Sequence, residues 1–239
     1  MERTANTQFA HCCPDWVFAT CSNVHVAKDR AWFASYTPFK TELGDAYGML
    51  EKPIPVLGIG TVELVTKRSP NKTGPDSRAT LHLKKVLHAP TITCNIIGLP
   101  IFDDYDVTCG GETSPVSAGS IADKEGRCVA YFDRRKRLMQ VRPCGPPYGP
   151  PLGLTAFKKE VHYMINALWP DSEQRRWRDH QAKIKAVVEN PGYTSEEKAW
   201  LKKHFRGEFY FLRMFCLSIY KEEDREEGRR IVRAMMQAE

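Results

Sequence analysis

The sequence predicts a chain in two parts, an all-β unit followed by an α-helical one. Three observations carry that prediction. Between Trp16 and Val141, several short runs alternate apolar and polar residues with the period of a strand. A stretch rich in proline and glycine, Pro143 to Pro151, then interrupts regular structure. Beyond it, apolar residues recur at helical spacing to the end of the chain.

The elements follow in order. Residues 1–14 read as a disordered tail ending in Cys12-Cys13-Pro14. Residues 15–142 form the β unit. Thr61 to Val65 and Ala79 to Leu83 alternate with period two, and Cys128 to Phe132 is β-branched and aromatic. Turn signals separate these runs at Ser69 to Asp76, at Gly110-Gly111 and at Lys124-Glu125-Gly126. Residues 143–153 read as a stiff linker, because proline lacks an amide donor and restricts the residue before it. Residues 154–239 read as an antiparallel helical module. Its first helix, capped by Thr155, carries Phe157, Val161, Met164, Ile165 and Leu168 and stops at Pro170. A second runs from about Ser172 to Glu189 with Trp177, Ile184, Val187 and Val188 as its stripe. Thr194 and Glu197 match a capping box at the head of a third, which buries Trp200, Leu201 and Phe205. The fourth starts near Glu208, carries Phe209, Leu212, Phe215, Cys216 and Ile219, and continues past Gly228.

Composition bounds what such a chain does. Its 239 residues suffice for one large or two small domains, with 42% apolar and 27% charged residues, a globular balance. No window approaches the ~20 apolar residues of a membrane span, and the first residues lack the apolar core of a secretion signal. An intracellular address, cytoplasmic or nuclear, with reduced thiols on the eight scattered cysteines, is the expectation. The net charge of +6 is shared evenly between the two halves, which argues against a dedicated nucleic-acid domain.

The segment Trp16-Val17-Phe18-Ala19-Thr20-Cys21-Ser22-Asn23-Val24-His25 carries the strongest resemblance. It resembles Trp-φ-φ-Asp-Ser/Thr-Gly-Ala-Ser-x-His (φ apolar), which opens the aspartic-protease-like β-barrel in Pol polyproteins of Copia-type retrotransposons. Further blocks follow in order. Val56 to Val62 is similar to Val-x-Gly-x-Gly-Thr-Val, and Leu81 to Pro90 resembles Leu-x-x-Val-Leu-Tyr-Val-Pro. Asn95-Ile96-Ile97-Gly98 sits at the expected distance, and Ile121 to Leu138 reads like the two closing strands. The resemblance spans roughly residues 15–142 and implies a closed, retropepsin-like β-barrel, dimerisation, and a peptide groove with its flap at Gly58, Gly60, Ile96, Ile97 and Gly98.

The resemblance also implies a lost active site. Aspartic proteases hold water between two carboxylates that share a proton. Here Ala19 stands at the Asp position, Thr20 follows, and Cys21 stands at the Gly position. No Asp-Ser-Gly or Asp-Thr-Gly occurs in the chain, and Asp15 lies four positions away, ~13 Å along a strand. A Cys21–His25 nucleophile pair meets the same distance problem. The plainer reading has Cys21 filling the interior with His25 packed beside it. His11-Cys12-Cys13 lacks the paired spacing of a zinc site. No cofactor and no metal is expected.

Arg134-Arg135-Lys136-Arg137 is a compact cationic cluster that stands apart from the acidic company of the other basic runs, of the kind read by nuclear import receptors or drawn to phosphates. Arg175-Arg176-Trp177-Arg178 interleaves cations with an aromatic, but Trp177 falls on an apolar stripe and acidic residues flank it. Three functional readings follow: a catalytically inactive, retrotransposon-derived binding module for peptides or proteins, a residual aspartic endopeptidase, and a weak nucleic-acid-associated protein using residues 134–137.

Overall fold

The computed structural model describes residues 11–48, 50–110, 116–189 and 192–237, apart from the side chains of residues 186–189. The chain divides into two compact units, Met1–Gln174 and Arg175–Glu239.

The first unit is built on one sheet of ten strands. In chain order they are β1 (Trp16–Phe18), β2 (Val26–Ala27), β3 (Phe33–Leu43), β4 (Ile54–Lys67), β5 (Arg78–His88), β6 (Asn95–Ile97), β7 (Tyr105–Cys109), β8 (Ser117–Asp123), β9 (Cys128–Asp133) and β10 (Gln140–Val141). Their spatial order is β3-β4-β5-β2-β6-β1-β10-β9-β8-β7. The long antiparallel ladders β3–β4–β5 and β7–β8–β9 flank a centre of short strands, in which β1 pairs β6 and β2 pairs β5 in parallel.

This order corrects the expected closed, retropepsin-like β-barrel. The sheet is open, with β3 at one edge and β7 at the other, and no ladder joins them among the described residues. The hairpin at 121–138 therefore closes nothing; β8 leads outward to β7. Period-two alternation reports which face of a strand is buried, whereas closure depends on tilt and shear across every strand. The edge strand β3 carries Pro38 and two register shifts, features that suit a strand with one unpaired side.

The core draws side chains from β1, β4, β5, β8 and β9 together. Trp16, Phe18, Trp32, Val62, Leu64, Leu81, Leu83, Ile121 and Phe132 share one apolar cluster. Trp16 meets Trp32 edge-on at 5.6 Å between centroids, and Phe18 stacks on Phe132 at 5.8 Å. Thr66 joins β4 to β9 through this core by donating its hydroxyl to the Val129 carbonyl at 2.9 Å.

Residues 143–170 contain no helix, which corrects the expected helix from Thr155 to Leu168. Cys12 bridges to Leu152, so residues 11–14 are packed, not a tail, while 1–10 lie outside the described residues. Ala156 N–H donates to Asp15, Ala167 N–H to Ser22 Oγ and Trp169 N–H to Asn23 Oδ1. Gly44 and Leu168 exchange backbone hydrogen bonds at 2.9 Å. These partners claim the amides that a helix would have used internally, so tertiary contacts override the helical spacing. The Trp169 indole closes the strap by donating to Thr41 Oγ1 at 3.1 Å.

The first helix is α1 (Asp171–Glu189), on which Trp177 is buried and Ile184 exposed; Val187 and Val188 fall outside the described side chains. Then come α2 (Ser195–Phe205), α3 (Glu208–Met214) and α4 (Glu222–Gln237). The capping box forms as expected: Thr194 accepts from Glu197 N–H at 3.1 Å and Thr194 N–H donates to Glu197 at 2.7 Å. The expected single fourth helix is two, because Cys216 takes a left-handed φ of 58° and Leu217 N–H returns to the Leu212 carbonyl. Tyr193, Leu201, Phe211, Leu212 and Val232 form the core of this bundle. No helix among the described residues is long and apolar enough to cross a membrane.

Candidate functional site

The segment after β1 is a turn, not a continued strand. Ala19 N–H donates to the Ile97 carbonyl, and Ser22 N–H returns to the Ala19 carbonyl at 3.2 Å. The Ala19 methyl is buried, whereas Thr20 and Cys21 are exposed. The expected interior position for Cys21 is thus corrected: the tight turn rotates its side chain outward, where its thiol meets Tyr47 Oη at 3.3 Å.

The acidic and basic groups around this turn are committed to structure. Asp15 accepts from the Thr155 hydroxyl at 2.9 Å and from Ala156 N–H at 2.7 Å, and Asp29 accepts from Cys13 N–H at 2.7 Å. His25 accepts from Gly98 N–H at 3.0 Å through Nδ1, which leaves its proton on Nε2. Burial pushes the imidazole pKa down to about 4, against a smaller upward pull from Asp104. A neutral, buried ring whose Nδ1 is occupied, facing Gly98 and not Cys21, is a packing histidine. Burial likewise pushes the Cys12 thiol up to about 11 and raises Cys13 and Cys94, so these are protonated apolar fillers. Among the described residues, no three His, Cys, Asp or Glu side chains gather as a metal-ligand group.

The groove residues scatter. Gly58 and Gly60 lie in mid-β4, paired to β3 on one side and β5 on the other, not at the hairpin tip a flap requires. They are glycines for packing. A Cβ on Gly60 would stand 1.9 Å from the Ser35 carbonyl oxygen, and one on Gly58 2.3 Å from the Tyr36 ring. Tyr36 crosses there to meet His88 Nδ1 at 2.9 Å, with the Arg30 guanidinium over its ring. Gly98 presses on the Val24 carbonyl, and Ile97 is wholly buried.

Of the five, Ile96 lines a cleft. That cleft, about 440 Å³, has Ile54, Ile92, Cys94, Ile96 and Ile165 inside and Tyr47, Leu50 and Met164 at its mouth. Ile92 and Cys94 are buried, while Met164 is 63% exposed. Asp45 holds the rim by accepting from the backbone N–H of Tyr47 and of Leu50, both at 2.7 Å, and Asn166 accepts from Ala46 N–H. Sequence reasoning missed this site. The available signal was the apolar pair Tyr47 and Leu50 inside a turn, where solvation alone favours polar residues.

The cationic cluster forms the turn after β9. Arg135 grips Asp133 through Nε at 2.9 Å and Nη2 at 2.8 Å, which lowers the Asp133 carboxyl pKa. Arg137 donates to the Lys159 carbonyl, and Arg134 to the Ser117 carbonyl at 3.3 Å. The cluster is therefore partly neutralised and tied to its surroundings, with Asp133 as the acidic neighbour.

A sequence profile for the family described as "Pol polyprotein, beta-barrel domain" matches residues 16–106, from β1 into β7. No curated protein and no solved structure matches the chain. The match supports a retrotransposon Pol-derived domain over these residues, carried here on an open sheet and not on an aspartic-protease barrel.

Proposed function

We propose that the Pol-derived unit acts by binding, not by catalysis, and takes an apolar segment of an extended peptide in the cleft beside Cys21. The carrying observation is the cleft itself: an apolar floor of Ile92, Cys94 and Ile96 under a rim fixed by Asp45 and Asn166. At about 440 Å³ it falls within the ~300–1,000 Å³ of ligand-sized pockets and suits one or two large apolar side chains. Polar rim groups such as Thr91 and Thr93 then serve the peptide backbone. The catalytic alternative draws no support from the turn, where Ala19 supplies a methyl group and the Asp15 oxygens are engaged by Thr155 and Ala156.

The test uses the full chain and ten-residue peptides that differ only in two central positions, Leu-Phe against Ser-Ser. The apolar peptides are expected to bind, and Leu50→Lys combined with Met164→Lys to weaken them at least about tenfold. Equal affinity for both peptides, or no effect of the double substitution, overturns the docking site. Pepstatin-sensitive peptide cleavage at mildly acidic pH overturns the non-catalytic assignment.

A further inference from the structure

A second cleft, about 630 Å³, opens between the β4–β5 loop and the proline-rich segment after β10. Lys67, Lys72, Arg78 and Arg142 line it, and no aspartate or glutamate does so among the described residues. Three of these cations come from the β4–β5 hairpin and the fourth from beyond β10, and folding brings the two segments together. The walls are fixed by backbone. Lys67 N–H donates to the Arg142 carbonyl at 3.1 Å, and Cys144 N–H to the Val65 carbonyl at 2.8 Å. Arg68 ties the loop by donating its backbone N–H to the Ser77 carbonyl and Nε to the Arg78 carbonyl. Pro143, Pro146 and Pro147 stiffen the opposite rim.

An aromatic plate stands within this cationic field. The Arg78 guanidinium sits 4.0 Å from the centroid of the Tyr148 ring, and Tyr148 is 51% exposed. The Arg78 contact orients the ring while leaving much of it open. Thr73 and Ser77 add hydroxyls to the lining.

We infer that this cleft binds single-stranded nucleic acid, with its phosphates on Lys67, Lys72, Arg78 and Arg142 and a base stacked on Tyr148. Cations that track a backbone beside an aromatic that accepts any base are the combination single-strand binding requires. A cleft this small admits a strand and not a duplex. An acidic peptide would satisfy the charges but give Tyr148 no planar partner. The 134–137 cluster is the weaker candidate, since Asp133 already occupies Arg135. The inference uses none of the residues of the apolar cleft, so either assignment can fail while the other stands.

The test is fluorescence anisotropy on the full chain with a labelled twelve-nucleotide single strand, the matching duplex and a twelve-residue oligoglutamate. The single strand is expected to bind tightest, with a slope of log affinity against log salt of about −3 for four phosphate contacts at ~0.7 each. Lys72→Glu with Arg142→Glu should weaken it at least about tenfold and flatten the slope by roughly half. Tyr148→Ala should weaken it roughly 5- to 150-fold at unchanged slope. Lys72→Gln with Arg142→Gln, matched to wild type in thermal midpoint, guards against a loop disturbed by charge reversal. Unchanged binding in the Gln pair, equal binding of duplex or oligoglutamate, or no binding of the single strand overturns the inference.

Discussion

In the sheet unit, backbone meets backbone so closely that a single methyl group has nowhere to go, whereas the helical unit closes around side chains and a ring of ion pairs. Gly60 against Ser35, Gly98 against Val24 and Gly119 against Thr108 are contacts of the first kind. The second kind is a small core, Tyr193, Leu201, Phe211, Leu212 and Val232, rimmed by Arg229–Glu222, Arg233–Glu197 and Arg225–Glu208. The helical unit also leaves Phe209, Tyr210, Met214 and Tyr220 exposed. One unit holds its clefts in place through rigid close approach. The other rests on fewer, softer contacts and yields to different perturbations.

The largest effect belongs to Gly60→Ala. The new Cβ would stand 1.9 Å from a backbone oxygen, in a strand hydrogen-bonded on both sides, where neither neighbour can yield. A loss of about 5 kcal/mol or more is expected, enough to abolish cooperative unfolding of the sheet unit in a calorimetric scan. A near-normal transition in that variant would break the claim that close approach holds this unit.

Phe211→Ala probes the other side of the comparison. Phe211 is fully buried and touches Phe205 and Phe215, with centroids 4.9 Å away in each case. Its truncation should cost about 3–5 kcal/mol. Far-UV circular dichroism should show helix lost while the near-UV signal of Trp16 and Trp32 in the sheet core persists. Loss of both signals together would show that the units do not fold independently.

Acid separates the units next. His25 has a native pKa of about 4 against an ordinary 6.5, so the native state refuses a proton that the unfolded chain accepts. Its contribution is fully present above pH 6.5 and is lost as pH falls toward 4, roughly 3 kcal/mol in all. In the helical unit, burial alone would raise Glu197, but the hydrogen bonds from Arg233 and from Thr194 N–H hold it below 4.5. That contribution is present above 4.5 and is lost only below it. Chemical denaturation between pH 7 and 4 should therefore weaken the sheet unit first. His25→Asn, which keeps an acceptor for Gly98 N–H, should flatten the decline; an unchanged slope would show that another group titrates.

Much of this was legible in the sequence where local rules decide. The alternating runs became β4, β5 and β9, the turn at 124–126 joins β8 to β9, and the capping box opens α2. Legibility ended where a residue's partner lies far along the chain. The spacing of Phe157, Val161, Met164 and Leu168 is helical, yet Asp15, Ser22, Asn23 and Gly44 take the backbone groups of that segment. Gly58 and Gly60 match a hairpin motif but serve a packed mid-strand. Cys21 reads as interior until the turn at 19–22 swings it out. The apolar cleft joins residues 45–54, 91–96 and 164–166, and the cationic one joins 67–78 to 142–152, so neither leaves a contiguous trace. The run at 134–137 does leave one, and its charge is partly consumed by Asp133.

The smallest expected effect tests how far local rules reach in the helical unit. Thr194→Ala removes the side-chain acceptor of Glu197 N–H and leaves that amide at a helix start without its cap. Glu197 keeps Arg233 as a partner at 2.8 Å, so the ion pair offsets part of the loss. A cost of about 1 kcal/mol is expected in the unfolding midpoint of the helical unit, with the sheet transition unmoved. Glu197→Ala removes both the reciprocal cap and the ion pair and should cost more than Thr194→Ala. If the two substitutions cost the same, the Arg233 contact is worth nothing and the cap alone holds α2 in register. If Thr194→Ala is silent, the ion pair carries that corner of the bundle.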